Sequence, residues 1–195
     1  MTVTRSSIKH FVFGLTAILL FLLYWKNLTL LPLAHAAPSR PPVSAEMERL
    51  AKFYVGTWDY TETYDKAPSD AAAGKNTGIY TSEPGPGGNS IVNRFHSHGP
   101  AGDFEGLLMI TWDPRENAYK AYLFGADFPG AFVETGQFEG DTFVLRGELS
   151  MGKTTIALRS TNRVGADGKM ISEAFRSVNG APESRLVQVI SARRP

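Results

Sequence analysis

Short apolar runs that alternate with polar residues follow one another from residue 57 almost to the end of the chain. Alternation with a period of two is typical of β-strands, and turn-forming residues separate each run from the next. Glu139-Gly140-Asp141, Ala166-Asp167-Gly168-Lys169 and Asn179-Gly180 have the composition of hairpin turns. The pattern predicts about ten strands in an up-and-down meander. The predicted strands are 57–64, 77–82, 90–97, 104–112, 118–124, 131–138, 142–147, 154–162, 169–178 and 184–191.

Several predicted strands are apolar on both faces, and 104–112 and 118–124 are the clearest examples. A meander must also protect its two edge strands, and closure into a barrel removes both edges. We therefore expect an all-β fold, a single antiparallel up-and-down β-barrel whose interior is lined by side chains.

A short helix is expected before the first strand. Ser44 suits an N-cap, because its hydroxyl can accept a hydrogen bond from a free backbone N–H of the first turn. Leu50, Phe53 and Tyr54 would form the buried side of this helix, and Gly56 would end it.

The N-terminal residues 1–36 have the order of a secretory signal peptide. Arg5 and Lys9 form a positive start, residues 11–25 are an almost unbroken apolar run, and Ala34-His35-Ala36 is a small-x-small cleavage site. The alternative is an uncleaved membrane anchor, although this run is shorter than the roughly 20 residues that span a bilayer. We expect cleavage after Ala36 and a periplasmic or secreted bacterial protein, with membrane contact only if the leader stays attached.

Cleavage would remove 36 of the 195 residues, and the remainder is the size of one domain. Residues 37–43 read as a Pro-rich linker and 44–195 as the barrel domain. The chain has no cysteine, which excludes disulfides and thiolate metal sites. The leader holds three of the 20 basic residues, which leaves 17 against 19 acidic ones. Nothing forms the cluster of Lys and Arg that a nucleic-acid surface needs.

The stretch Gly147-Glu-Leu-Ser-Met-Gly-Lys-Thr154 fits the phosphate-loop pattern G-x-x-x-x-G-K-[ST]. A phosphate loop requires a helix after it, whose N-terminal N–H groups bind the phosphates. The residues that follow, 154–161, are rich in β-branched side chains and read as a strand. We therefore expect a hairpin with its turn at Ser150–Lys153, and no nucleotide.

The segment Phe53-Tyr54-Val55-Gly56-Thr57-Trp58 joins the expected helix to the first strand. It resembles the G-x-W signature of the calycins, which include lipocalins, fatty-acid-binding proteins and nitrobindins. Later residues are similar to a bacterial calycin-like family known only as a domain of unknown function. Those residues are Gly88-Asn89-Ser90-Ile91-Val92, Gly106, Trp112-Asp113 and Tyr119. The resemblance covers residues 44–191.

In those families a short helix closes the base of the barrel and the tryptophan begins the first strand. The resemblance therefore implies a structural role for Trp58, with an arginine of a late strand stacked on its indole ring. Arg176 and Arg185 are the candidates. The haem site of nitrobindins needs a histidine on a late strand, and none follows His98. We expect no cofactor.

Aromatic residues on the predicted strands are the main candidates for ligand binding, because a barrel of this strand number can enclose one small molecule. Glu173 is added to them, since it shares a strand face with Ile171 and Phe175. If that face is the lumen, the carboxylate is buried and needs a partner, for which Arg146, Arg159 and Arg176 are possible. The predicted ligand-binding residues are Tyr60, Phe95, Tyr122, Phe124, Phe132, Phe143, Glu173 and Phe175.

Other polar residues are weaker candidates. Glu62, Glu134 and Glu148 also lie on predicted strands, where solvated, outward-facing carboxylates are the commoner arrangement. His96 and His98 share one strand face and could form a metal site with Asp103 or Glu105. The Gly and Pro residues that follow favour a solvated rim instead, so we expect no metal.

The function predicted from these patterns is binding of a small apolar or amphipathic molecule inside the barrel. One alternative is an isomerase or hydrolase that uses an interior Glu, Arg or Tyr, such as Glu173. Another is a filled-core structural or interaction protein of the cell envelope. Binding is favoured over catalysis, and the oligomeric state stays open.

Overall fold

The computed structural model describes residues 42–65 and 74–195. Within these ranges the chain forms one α-helix, a short 3₁₀ turn at Pro86–Gly88 and ten strands. The helix α1 is Ala45–Tyr54. The strands are β1 Gly56–Tyr64, β2 Lys75–Pro84, β3 Ser90–His98, β4 Phe104–Asp113, β5 Ala118–Gly125, β6 Phe132–Glu139, β7 Thr142–Met151, β8 Thr154–Val164, β9 Met170–Val178 and β10 Ser184–Arg193.

The leader 1–36 and the linker as far as residue 41 lie outside the described residues. In the part that is described, no helix has both the length and the apolar character needed to cross a membrane.

The ten strands form a closed barrel in which each strand is antiparallel to both of its neighbours. β1 completes the ring by pairing with β10 as well as with β2, so that Trp58 lies opposite Arg193 on one side and Tyr80 on the other. The predicted all-β barrel with a short N-terminal helix is confirmed. Every predicted strand is present, and most extend one to four residues beyond the predicted ends.

Helix α1 plugs one end of the barrel. The Ser44 hydroxyl accepts a hydrogen bond of 3.3 Å from the backbone N–H of Met47, as expected of an N-cap. Met47, Leu50 and Tyr54 are buried, and Phe53 packs partly buried against the same core. The plug continues into inward-facing residues of the strands. These are Trp58, Ile91, Ile110, Tyr119, Phe143, Leu145 and Met170.

The Gly56-Thr57-Trp58 segment fastens the helix to the barrel. Gly56 has φ of +142°, which favours glycine where the chain turns from the helix into β1. The Trp58 indole Nε1 donates a 2.9 Å hydrogen bond to the Tyr54 carbonyl oxygen. The ring stacks on Tyr80, and the guanidinium carbon of Arg193 lies 4.5 Å from its centroid. Helix, first strand and last strand therefore meet at one side chain.

The stacked arginine is Arg193, so the prediction of Arg176 or Arg185 was wrong. The reason is the length of β10, which continues past the predicted end at residue 191 and carries Arg193 to the level of Trp58. Arg185 lies at the opposite end of the same strand, where it binds Asp65 and Glu173.

The phosphate-loop pattern folds as the expected hairpin. β7 runs to Met151 and β8 begins at Thr154, which leaves a two-residue turn of Gly152 and Lys153, shorter than the predicted one. Gly152 has φ of +62°, a conformation that other L-residues rarely adopt. A strand, not a helix, follows the motif, and the N–H groups that hold a phosphate in such loops are not in place.

Candidate ligand cavity

The barrel interior contains a partly open cavity of about 410 Å³ beside the plug. This volume lies within the range of small-molecule sites in proteins. Most of the wall is apolar. Its aromatic members are Tyr54, Tyr60, Tyr64, Tyr80, Phe95, Phe104 and Phe132, and its aliphatic members include Leu108, Leu123, Leu145, Leu158 and Val189. The interior therefore contains open space beside the packed plug.

Three of the large rings leave this space open because each lies over a glycine of the neighbouring strand. The pairs are Tyr60 with Gly78, Phe95 with Gly106 and Phe132 with Gly147. A methyl group added at any of these glycines would come within 2.5–2.6 Å of a ring carbon. The rings lie against the wall where a side chain would otherwise stand, and all three residues line the cavity.

Two glutamates project into the cavity from opposite sides. Glu62 is the third residue from the end of β1, and Glu134 is the third residue of β6. β1 and β6 are five strands apart in either direction around the ten-strand ring. Each glutamate is only 8% exposed. Burial of a carboxylate is costly without a partner, so both positions need a physical explanation.

Glu134 has no hydrogen-bond or ion-pair partner among the described residues. Its cross-strand neighbours are Ala121 and Gly147, which offer no polar side chain. Burial alone raises the pKa of this carboxyl to about 7. The Glu134 carboxyl therefore keeps its proton up to about neutral pH. If it ionised, its charge would be buried without a partner.

Glu62 has partial compensation. Its Oε2 accepts a 3.1 Å hydrogen bond from the Tyr64 hydroxyl. Burial raises the pKa of Glu62, and the nearby Ser97 and Tyr64 hydroxyls oppose that rise. Burial, together with the charge of Glu62, also raises the pKa of Tyr60 to about 12. This side of the cavity is a cluster of hydroxyls around one carboxyl.

Several buried polar atoms around the cavity have no partner. They are the Tyr60 hydroxyl, Asn93 Oδ1 and Ser97 Oγ, of which Ser97 lies near Glu62 but without hydrogen-bonding geometry in this structure. Buried polar groups are nearly always hydrogen-bonded in native proteins. Tyr60 and Asn93 belong to the residues that line the cavity, whereas Ser97 does not.

The basic side chain nearest the cavity points away from it. Arg159 belongs to β8 and borders the lining, but its guanidinium lies 4.2 Å from the centroid of Phe175 and makes a 2.7 Å ion pair with Glu183. Among the described residues, no other Lys or Arg lines the cavity. The charged groups of the lumen wall are thus acidic.

The predicted ligand-binding residues divide into three groups. Tyr60, Phe95 and Phe132 line the cavity. Phe143 faces inward but is fully buried in the plug, where its ring meets Tyr119 edge-on at 5.1 Å.

The remaining four, Tyr122, Phe124, Glu173 and Phe175, are not among the lining residues. Successive side chains of a strand point to opposite faces. Leu123 of β5 and Ser172 and Ala174 of β9 face the cavity, so these four lie on the outer surface. The sequence does not show on which strand face these four residues lie, because both faces of β5 and β9 carry apolar residues.

Glu173 is explained by its outer-face partners. Its Oε1 accepts hydrogen bonds from the Arg185 guanidinium at 2.8 Å and from the Gln188 amide at 3.2 Å. Arg185 also binds Asp65, which makes a three-residue charge network on the surface. Glu173 does not line the lumen, and none of the three possible partners, Arg146, Arg159 and Arg176, is among its hydrogen-bond partners in this structure.

The expectation that Glu62 and Glu134 face solvent was also wrong. A signal for each was present in the sequence. Glu62 alternates in phase with Trp58 and Tyr60, so the inward placement of Trp58 also places Glu62 inward. Glu134 alternates in phase with Phe132 in the same way.

The two histidines of the described chain, His96 and His98, lie on the outer face of β3 with ring centroids 6.2 Å apart. No group of three or more His, Asp or Glu side chains in residues 42–65 and 74–195 is arranged to hold a metal ion.

Comparison with known proteins supports the fold and goes no further. No protein-family model matches the chain, and no curated protein matches it. Among solved structures, the crystal structure of Rv2717c from M. tuberculosis is similar, with a TM-score of 0.58 and 14% sequence identity. The match covers 78% of this chain and 99% of that one. The chain is thus an antiparallel ten-strand β-barrel with a structural neighbour of the same fold.

Proposed function

We propose that the protein binds one small amphipathic molecule inside the barrel. The observation that carries the proposal is the cavity of about 410 Å³, whose wall is mainly aromatic and aliphatic but includes buried carboxyl groups. A few polar groups on a mainly apolar wall are characteristic of small-molecule sites, where the apolar surface provides affinity and the polar groups fix orientation.

The unpaired polar atoms support a ligand with its own polar group. A protein selected only for a packed interior would gain stability by replacing the partnerless Glu134 with an apolar residue. Buried ionisable side chains tend to cluster at functional sites, so their presence on this cavity wall supports ligand binding. The calycin-like resemblance of Gly56-Thr57-Trp58 is consistent with this proposal, because lipocalins and fatty-acid-binding proteins use their lumen in this way.

Fluorescence of N-phenyl-1-naphthylamine tests the proposal, because this uncharged dye brightens in apolar cavities. We expect saturable binding to the purified protein that competing amphipathic molecules reverse. Ala174→Trp, which places an indole in the cavity, should abolish it. Ala157→Trp on the exposed outer face of the adjacent β8 is the matched control and should leave it intact. Equal dye signals in both variants would show that the dye binds elsewhere and would remove the proposal's support.

We further propose that the protein acts outside the cytoplasm. Support comes from the sequence pattern of residues 1–36. The mass of the exported protein tests this directly, since cleavage after Ala36 gives a mature chain beginning at Ala37. A full-length chain that stays in the membrane fraction would instead identify the leader as an anchor.

A further inference from the structure

We propose that the ligand is a hydrophobic amine, which binds as an ammonium ion against the carboxylate of Glu134. The inference rests on the proposed binding function and narrows the ligand to one chemical class. Fatty acids and other anionic amphiphiles are disfavoured, because the cavity offers them no unpaired cation.

The unpaired charged side chains around the cavity are acidic. The ionisable residues that line it are Glu62, Glu134, several tyrosines and one basic residue, Arg159. Arg159 is turned outward and neutralised by Glu183. Within the described residues no unpaired cation lines the lumen, so a bound carboxylate would be buried without a counter-ion.

Glu134 has no hydrogen-bond or ion-pair partner among the described residues. The side chain is 92% buried, since only 8% of its surface is exposed, and it is aimed into the cavity without a hydrogen-bond donor from the protein. Glu62 differs, because the Tyr64 hydroxyl already donates to it. An ammonium group would give Glu134 both a charge partner and N–H donors, which is what a buried carboxylate requires.

The wall around Glu134 includes an aromatic ring and a further hydrogen-bond acceptor. The ring of Phe132 lies close to Glu134, because both meet the position where Gly147 would carry a side chain. The faces of aromatic rings attract cations, and desolvation strengthens that attraction. Asn93, whose Oδ1 is a further acceptor without a donor, belongs to the lining of the same cavity. The aliphatic wall would then hold the hydrocarbon part of the amine.

Isothermal titration calorimetry with three probes of one chain length tests the inference. The probes are octylamine, octanoic acid and octanol, measured at pH 8 with the full chain. We expect octylamine to bind at least about 30-fold more tightly than the other two, as for a desolvated charge pair. Glu134→Gln should reduce octylamine affinity by a similar factor and leave octanol binding unchanged.

Three controls separate this result from surface effects. Glu148→Gln removes an exposed carboxylate of β7 and should change nothing. Glu62→Gln should weaken octylamine binding much less than Glu134→Gln. Ala174→Trp should abolish binding of the amine, which shows that it enters the barrel. Circular dichroism checks that each variant is folded.

Equal binding of all three probes, or tighter binding of octanoic acid, would overturn the amine assignment and leave the proposed cavity function standing. Undiminished octylamine binding by the Glu134→Gln variant would overturn the role of Glu134. No binding of any probe or of the dye would contradict the cavity function itself, and the inference would fall with it.

Discussion

Replacing Glu134 by glutamine removes one buried ionisable group while keeping the size of the side chain. In the unfolded chain a glutamate ionises near its ordinary pKa of 4.5, whereas in the folded barrel burial raises the pKa to about 7. Between these two values the folded protein binds more protons than the unfolded chain. The free energy of unfolding therefore falls as the pH rises through this window.

The magnitude follows from the difference between the two pKa values. Each pKa unit corresponds to about 1.4 kcal/mol, so ionisation of Glu134 costs the folded state about 3 kcal/mol above pH 7. Burial, with smaller contributions from Tyr80 and Glu134, raises the pKa of the neighbouring Tyr54 well above this range. Tyr54 is thus neutral throughout, and the pH effect belongs to Glu134.

Urea denaturation of both proteins at several pH values between 4 and 8 measures this difference. We expect the Glu134→Gln variant to gain about 3 kcal/mol relative to the wild type across that range, with most of the gain between pH 4.5 and 7. The difference between the two curves cancels the other titrating groups, including Glu62. Parallel curves for wild type and variant would refute the account of Glu134 as a buried, unpartnered carboxyl. Glu148→Gln, on the exposed outer face of β7, should give such parallel curves.

Three further predictions concern single contacts that stabilise the barrel and its helix. Gly147→Ala should destabilise the barrel by about 1–3 kcal/mol in urea denaturation and should weaken dye binding, because the new methyl group would lie 2.6 Å from the Phe132 ring. Arg193→Ala should cost about 0.5–1 kcal/mol by removing the cation that stacks on Trp58, and should shift the tryptophan emission; an unchanged stability and spectrum would contradict this contact. Ser44→Ala should lower stability by about 1 kcal/mol through loss of the N-cap, with Ser44→Thr as the conservative control.

The fold could be predicted from the sequence because turn residues and period-two alternation are local signals. The strands and the helix depend on such signals, and the Ser44 cap and the Gly152 turn lie where these place them. Local patterns also decided correctly between a phosphate loop and a hairpin, since β-branched residues after Lys153 favour a strand.

The cavity wall could be predicted only in part, because the inward face of a strand depends on the whole ring. Where one face is clearly apolar, as for Tyr60 and Phe132, the lining residues follow from the sequence. In β5 and β9 both faces carry large apolar residues, and Phe124 and Phe175 were placed on the wrong side. On the outer face, the guanidinium of Arg159 covers Phe175. The alternation of apolar and polar residues along a strand does not show such a contact.

The openness of the cavity could not be predicted from residue types, since the same aromatics would fill a core if they pointed to its centre. What keeps the space open is a pairing across strands, in which Phe95 lies on Gly106 and Tyr60 on Gly78. Cross-strand register decides these pairs, and register depends on closure of the barrel.

Native mass spectrometry of the purified protein is the most direct test of a ligand inside the barrel. The account predicts an additional small-molecule mass that disappears on denaturation and is missing from the Ala174→Trp variant. The released molecule should carry a basic nitrogen. A bare protein mass in the wild type, with no mass increase after addition of octylamine, would contradict the account.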